Sequence, residues 1–123
     1  MIERLKRHHA SFKNAINGIF WVVSSEANFQ IHLTIGVFTL LAGILLSLDK
    51  VEMIILIFTI ILGLAAEMIN TAIEEVTDLV KKEWSKEAKI AKDVSAGMML
   101  LVSIGSAVIG IYILLPKLIE LTF

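Results

Sequence analysis

Three long stretches of the chain contain no charged side chain, and they constrain the fold more than any other feature. No Asp, Glu, Lys or Arg occurs at positions 27–48, 53–66 or 94–116. The first and third stretches predict helical spans at residues 31–48 and 94–115, about 27 and 33 Å long, against a bilayer core of about 30 Å. The middle span keeps a helical pattern over residues 53–80, about 42 Å, so it should cross the membrane and then protrude. We predict an all-α, polytopic membrane protein with a single domain over residues 1–123.

The composition supports the bilayer as the solvent of this chain. Hydrophobic residues make up 57% of the 123 residues, charged residues 19%, and the mean hydropathy is +0.83. A soluble domain is about 45–50% apolar even when glycine is counted, so the composition disfavours a soluble enzyme. The formal net charge of -1 offers no positive field to a nucleic acid, and we expect no nucleic-acid partner. Without cysteine, the chain has no disulfide and no thiolate metal site.

Lysine and arginine residues near the spans predict the orientation. Residues 1–30 contain four of them and residues 81–93 contain five, whereas the turn at residues 49–52 and the C-terminal tail contain one each. We therefore expect the N-terminus and residues 81–93 to face the cytoplasm.

An amphipathic helix is predicted before the first span, over residues 2–23. Its apolar residues recur at helical spacing: Ile2, Leu5, Phe12, Ile16, Ile19 and Val23. This pattern is typical of a helix that lies in the membrane interface. Ser24, Ser25 and Asn28 are candidate caps for a break before the crossing, and Pro116 is expected to end the last span.

Five polar side chains share one face of the second span. At about 100° per residue they fall within an arc of about 100°: Glu67, Asn70, Thr71, Glu74 and Asp78. Glu67 lies about 21 Å along the helix from residue 53, inside the hydrocarbon layer, where a carboxyl group is a candidate functional site. Such polar residues also bond neighbouring helices in membrane bundles. Three carboxyl groups on one face, however, repel one another unless a cation neutralises them, so we predict a cation site.

The topology brings further charged side chains to the cytoplasmic end of this polar face. Glu26 precedes the first span, Lys92 and Asp93 precede the third, and Glu74 lies about 10 Å from Glu67 toward the same surface. Taken singly, acidic residues also stabilise helix N-termini, and a lysine side chain also extends to the interface. Taken together, oxygen ligands, a buried carboxyl and cationic groups suit Mg²⁺-assisted phosphoryl transfer from a cytosolic donor to a lipid hydroxyl. The chain has no G-x-x-x-x-G-K-[ST], G-x-G-x-x-G or H-E-x-x-H motif.

Two motifs carry a resemblance to a known family. They are Glu67-Met-Ile-Asn70-Thr71-Ala72-Ile73-Glu74-x-x-x-Asp78 and Ala91-Lys92-Asp93-x-x-Ala96. The pair resembles the signature of the prokaryotic diacylglycerol kinase family, and the resemblance runs from about Arg7 to Leu115. It implies three transmembrane helices and one surface helix in each chain, in a homotrimer whose active sites form between subunits. It also implies a multi-pass protein of the bacterial inner (cytoplasmic) membrane, with its active site at the cytoplasmic face.

The resemblance also implies roles for particular residues. Glu67 resembles the general base that acts on the lipid hydroxyl. Glu26 and Glu74 resemble the carboxylates that hold the Mg²⁺ of the ATP complex and contact the nucleotide, and Lys92 and Asp93 resemble further ATP contacts. The other implied contacts are Glu83, Trp84 and Ser85 with ATP, and Arg7, Asn70 and Ala96 with the lipid.

The lipid substrate has two candidates within this family. The segment Ser25-Glu26-Ala27-Asn28-Phe29-Gln30-Ile31-His32 resembles the Gram-positive branch, whose members phosphorylate undecaprenol, and the Leu-Leu-Pro-Lys ending at Lys117 does so too. The resemblance therefore favours undecaprenol, with diacylglycerol as the alternative. A rival class is a small ion or proton conductor that relays ions through Glu67 and Asp78. Residues 53–66 contain only Thr59 as a polar side chain, so such a path would stop halfway.

Overall fold

Four α-helices make up most of the part of the chain that the structure describes. The computed structural model describes residues 1–80 and 85–122, apart from the side chains of residues 2, 3 and 5. The helices are α1 (Ile2–Ser25), α2 (Ala27–Leu45), α3 (Lys50–Val80) and α4 (Lys86–Thr122). No strand occurs among these described residues, and the all-α prediction is confirmed.

Helices α2, α3 and α4 are each long and apolar enough to cross a membrane. Their outer surfaces expose large apolar side chains, and Phe38, Phe58 and Leu101 are 68%, 65% and 74% exposed. In water this exposure would be unfavourable, whereas lipid chains solvate such side chains well. The three predicted spans are therefore present as helices, preceded by α1.

The helix ends differ from the predicted spans at several places. Helix α2 begins at Ala27 and ends at Leu45, which shifts the predicted 31–48 span toward the N-terminus. Helix α4 extends beyond the predicted 94–115 span at both ends. The prediction that Pro116 ends this helix is wrong, because Pro116 lies inside α4. Membrane helices tolerate an internal proline because neighbouring groups and local adjustments satisfy the carbonyl that it leaves without an N–H.

A single residue, Glu26, separates α1 from α2. Its backbone is extended, with φ -98° and ψ 109°. Its N–H donates to the Val22 carbonyl at 3.0 Å, and its own carbonyl accepts from the Gln30 N–H at 3.1 Å. The Gln30 side chain donates to the Val23 carbonyl at 3.0 Å, which satisfies a carbonyl at the end of α1. The predicted caps do not act here: α2 has no side-chain cap, and the Ser24 hydroxyl donates to carbonyls of its own helix.

The turn between α2 and α3 combines two capping motifs. Ser47 has a positive φ of 54°, and the N–H groups of Ser47 and Leu48 donate to the carbonyls of Ile44 and Gly43. This is the Schellman arrangement that ends many helices. Helix α3 then begins with a capping box, in which the Asp49 carboxylate accepts from the Glu52 N–H and the Glu52 carboxylate accepts from the Asp49 N–H, both at 2.9 Å.

Two glycines let α2 approach α3 closely. A Cβ atom at Gly36 would lie 2.8 Å from Ile60 Cγ2, and one at Gly43 would lie 3.0 Å from side-chain atoms of both Leu48 and Leu56. Small residues have this role in many membrane helix pairs. On the third span, Ala96, Ser103 and Gly110 recur every seven residues, a pattern that is typical of tight packing. A Cβ atom at Gly110, however, would meet no described atom within 4 Å. Within one chain, the close glycine contacts are therefore on α2.

We expect Gly36→Ala to destabilise the protein and Gly63→Ala to leave its stability unchanged or higher. The Gly36 methyl would overlap the Ile60 side chain, whose χ1 is restricted in a helix, at a cost of about 1–3 kcal/mol. A Cβ at Gly63 meets nothing within 4 Å. Thermal unfolding of the detergent-purified variants measures the difference. Equal melting temperatures for the two variants would contradict the close α2–α3 contact.

Candidate functional site

The polar face of α3 is buried near the middle of the helix and exposed toward its C-terminal end. Glu67, Asn70 and Thr71 are 3%, 6% and 6% exposed, although all three are polar or charged. Glu74 and Asp78, further along the helix, are exposed. The structure therefore places a buried carboxyl group below a cluster of accessible ones, on the helix face that the sequence predicts.

Asn70 connects α3 to α4 through side-chain hydrogen bonds. The buried Ser95 hydroxyl of α4 donates to Asn70 Oδ1 at 2.8 Å. Asn70 Nδ2 in turn donates to Glu74 Oε1 at 2.8 Å. We call this set, Ser95, Asn70 and Glu74, the amide relay. It fixes one oxygen of Glu74 and leaves the other available to a ligand.

Lys92 and Asp93 are adjacent on α4 but have different partners. Lys92 Nζ forms an ion pair with Asp78 Oδ1 at 2.5 Å, which joins α4 to α3. Asp93 pairs with Lys89 at 2.5 Å, one turn away on its own helix. Lys92 therefore lies beside the polar face of α3, whereas the Asp93 carboxylate is engaged along α4. Both ion pairs are accessible to solvent, so neither contributes much to the free energy of unfolding.

Glu26 and His32, from the α1–α2 break and from α2, belong to the electrostatic environment of Glu67. Together with Glu74 they are the titratable side chains that act on the Glu67 carboxyl among the described residues. Glu26 is the extended residue between α1 and α2, and His32 follows six residues later on α2. The predicted convergence of Glu26, Glu74, Lys92 and Asp93 at the end of the polar face stays a prediction; the structure pairs Lys92 with Asp78 and Asp93 with Lys89. His32 was not predicted, because a lone histidine in an apolar stretch carries no recognisable spacing signal.

The donor set suits Mg²⁺, although the described residues form no complete cage for it. No group of three His, Asp or Glu side chains in residues 1–80 and 85–122 is arranged to hold a metal ion. Glu26 and Glu74 nevertheless supply carboxylate oxygens, and Mg²⁺ is commonly held by one or two carboxylates together with substrate phosphates and water. The chemistry of this site fits an ion that arrives with a nucleotide.

The remaining predicted site residues have varied positions. Arg7 lies on the exposed surface of α1, and Ala96 is exposed on α4 beside Ser95. The Ser85 hydroxyl accepts from the Ala88 N–H at 3.1 Å, which caps the start of α4. Glu83 and Trp84 lie outside the described residues.

A groove of about 650 Å³ between α2, α3 and α4 begins at His32 and continues to Leu46 and Leu118. Its polar lining residues are His32, Thr39, Thr59, Ser103 and Ser106. None of the described residues that line it is Asp or Glu, and the Thr59 hydroxyl donates to the Ile55 carbonyl of its own helix at 2.8 Å. The carboxylates therefore do not continue along this groove, which disfavours an ion path across the membrane.

The chain is similar to proteins of one known family. The family model for prokaryotic diacylglycerol kinase matches residues 13–114. The chain belongs to this family. An undecaprenol kinase of Bacillus subtilis is 39% identical over 115 residues, which cover 93% of each chain. A diacylglycerol kinase of Synechocystis sp. is 38% identical over 112 residues, which are 90% of this chain but only 64% of that longer protein. The predicted family and enzyme class, a lipid kinase, are confirmed.

We expect Ser85→Ala to reduce stability by about 1 kcal/mol, because it removes the cap of α4, while Ser85→Asp retains it. Chemical unfolding in detergent measures both variants. If Ser85→Ala has native stability and a raised KM for ATP instead, the hydroxyl serves the nucleotide and not the helix.

Proposed function

We propose that this protein transfers the γ-phosphoryl group of ATP to the hydroxyl of a membrane lipid, with undecaprenol as the substrate and undecaprenyl phosphate as the product. The observation that carries the proposal is the buried Glu67 carboxyl beside Asn70 and the accessible Glu74. Membrane burial of a carboxyl is unfavourable and is retained mainly where it has a function. Its position below a cluster of cytoplasm-facing charges suits a lipid alcohol on one side and a soluble donor on the other.

Glu67 would act as the general base. Within the part of the chain that the structure describes, no donor is hydrogen-bonded to its carboxyl group, so the group is available to a substrate hydroxyl. In the transfer, the alcohol oxygen forms a bond to the γ-phosphorus, the bond from that phosphorus to ADP breaks, and Glu67 accepts the proton of the alcohol. Asn70, one turn from Glu67 on α3, and Ala96, next to Ser95 on α4, would contact the lipid, with Arg7 at its head group.

Glu26 and Glu74 would hold Mg²⁺ with the nucleotide. The bound ion would neutralise charge on the phosphates during transfer. Lys92 pairs with Asp78, on the same face of α3 as Glu74, and its ammonium would offset charge on the transferred group once a phosphate competes with Asp78. We infer further ATP contacts at Asp93, Glu83, Trp84 and Ser85 from the family resemblance.

The proposal includes the assembly and the orientation. We infer a homotrimer with sites between subunits, because the family resemblance implies one; within residues 1–80 and 85–122 of one chain, no group of three acidic or histidine side chains is arranged to hold a metal. The excess of Lys and Arg in residues 1–30 and 81–93 supports a site on the cytoplasmic face of a bacterial inner membrane, where ATP is available.

The share of each relative's length that this chain matches supports undecaprenol over diacylglycerol as the substrate. The Bacillus undecaprenol kinase matches this chain over 93% of both lengths, whereas the Synechocystis diacylglycerol kinase has more than a third of its length outside the match. The identities, 39% and 38%, do not discriminate between the two lipids. The segment around Glu26 adds its resemblance to the Gram-positive branch.

Phosphate transfer from labelled ATP, compared in parallel for undecaprenol and diacylglycerol in mixed micelles, tests the proposal. We expect Mg²⁺-dependent labelling of both lipids, with kcat/KM at least tenfold higher for undecaprenol than for diacylglycerol. A higher kcat/KM for diacylglycerol would assign the other substrate. ATP consumption that is independent of any lipid alcohol would contradict the lipid kinase itself.

A further inference from the structure

Ser95 is a buried polar residue of α4 that neither the motifs nor the family resemblance assign to the site. It is 3% exposed, as buried as Glu67. Its hydroxyl lies 2.8 Å from Asn70 Oδ1 and 3.0 Å from the carbonyl oxygen of Lys92. It therefore contacts both the central amide of α3 and the helical turn that carries Lys92.

The chemistry of the partners sets the direction of the amide relay. An ionised Glu74 carboxylate can only accept hydrogen bonds, so the Asn70 NH₂ group must face it and the Asn70 carbonyl must face α4. The Asn70 carbonyl can also only accept, so Ser95 must be the donor. Each group of the amide relay then has one compatible role, as a donor or as an acceptor. Successive hydrogen bonds in such a series strengthen one another.

We propose that Ser95 is a positioning residue that holds the Asn70 amide in this orientation and, through it, fixes the Glu74 carboxylate for the metal–nucleotide complex. The inference rests on the proposed function, because it assigns Glu74 to that complex. Without the Ser95 donor, the buried Asn70 carbonyl has lost its partner and the amide can rotate. Glu74 then loses the fixed donor that orients it.

One feature separates this role from simple packing between helices. The hydroxyl has a second acceptor in its own helix, the Lys92 carbonyl, so α4 does not need Asn70 to satisfy Ser95. The effect of removing the hydroxyl is therefore expected at the carboxylate end of the relay, where it changes metal affinity. Loss of a partner for a buried acceptor is large enough for a several-fold change in binding.

The test is direct metal binding to the purified, full-length protein in detergent, with Mn²⁺ as the probe and a non-hydrolysable ATP analogue present. Free Mn²⁺ is measured by electron paramagnetic resonance. We expect Ser95→Ala to weaken Mn²⁺ binding about three- to tenfold and to raise the Mg²⁺ concentration for half-maximal lipid phosphorylation by a similar factor. Ser103→Ala, a serine change on the same helix about 12 Å away, is the matched control and should leave both values unchanged.

A double-mutant cycle distinguishes positioning from packing. In an Asn70→Ala background, Ser95→Ala should have no further effect on Mn²⁺ affinity, because it acts through Asn70. Ser95→Cys, which keeps nearly the same volume but is a weak donor, should behave like Ser95→Ala even if the alanine variant folds poorly.

Native Mn²⁺ affinity in Ser95→Cys would overturn the inference, and so would equal effects of Ser95→Ala with and without Asn70. Failure of the proposed function has a separate signature, which is a wild-type protein that transfers no phosphate to a lipid alcohol. A different result would contradict only the positioning role. In that result, the wild-type protein transfers phosphate to a lipid alcohol and the Ser95 variants bind Mn²⁺ as tightly as the wild type.

Discussion

The side chain of Asn70 makes the connection on which the site depends. It is buried between α3 and α4 and is bonded to Ser95 on one side and Glu74 on the other. In a membrane, polar groups that are buried without a partner are costly, because no water is available to replace the lost bond. The requirement to satisfy this amide therefore holds the two helices in register. Glu67 lies one turn deeper on α3, and Lys92 lies one turn earlier on α4.

The rest of the fold serves to bring acidic residues from other helices to this level. The break between α1 and α2 holds Glu26 in an extended conformation, and Glu26 is among the side chains that interact electrostatically with Glu67. Close packing of α2 on α3 at Gly36 and Gly43 keeps this break near the α3–α4 pair. The capping motifs at Ser47 and Asp49 reverse the chain between the two helices within four residues. A lipid kinase needs such a site at the depth where the hydroxyl of its substrate lies, and the helices supply it without any strand or soluble domain among the described residues.

The sequence predicts the polar face of α3 because helical periodicity is strict over a long uncharged span, and because a carboxyl such as Glu67 is conspicuous there. It does not reveal Ser95, since a serine in an apolar membrane helix has the same pattern whether it bonds another helix or only its own backbone. Ser85 shows a different limit: the resemblance implies a nucleotide contact, and the sequence does not reveal that the Ser85 hydroxyl also caps α4. Pro116 shows a third limit, because the rule that proline ends helices comes from water-soluble proteins. In a bilayer, neighbouring groups and local adjustments satisfy the carbonyl that proline leaves without a donor, so the helix continues.

The role of Glu67 is tested most directly by Glu67→Gln, which keeps the shape of the side chain but cannot accept the proton of a lipid alcohol. Glu75→Gln on the exposed part of α3 is the matched control. The measurement is kcat for phosphate transfer from ATP to undecaprenol, with ATP binding and oligomeric state followed in the same preparations. We expect Glu67→Gln to lose at least about 100-fold in kcat, since a positioned base contributes about 10²–10⁴-fold, with ATP binding intact and Glu75→Gln near wild type. A Glu67→Gln enzyme that retains more than about a tenth of the wild-type kcat would contradict its assignment as the base.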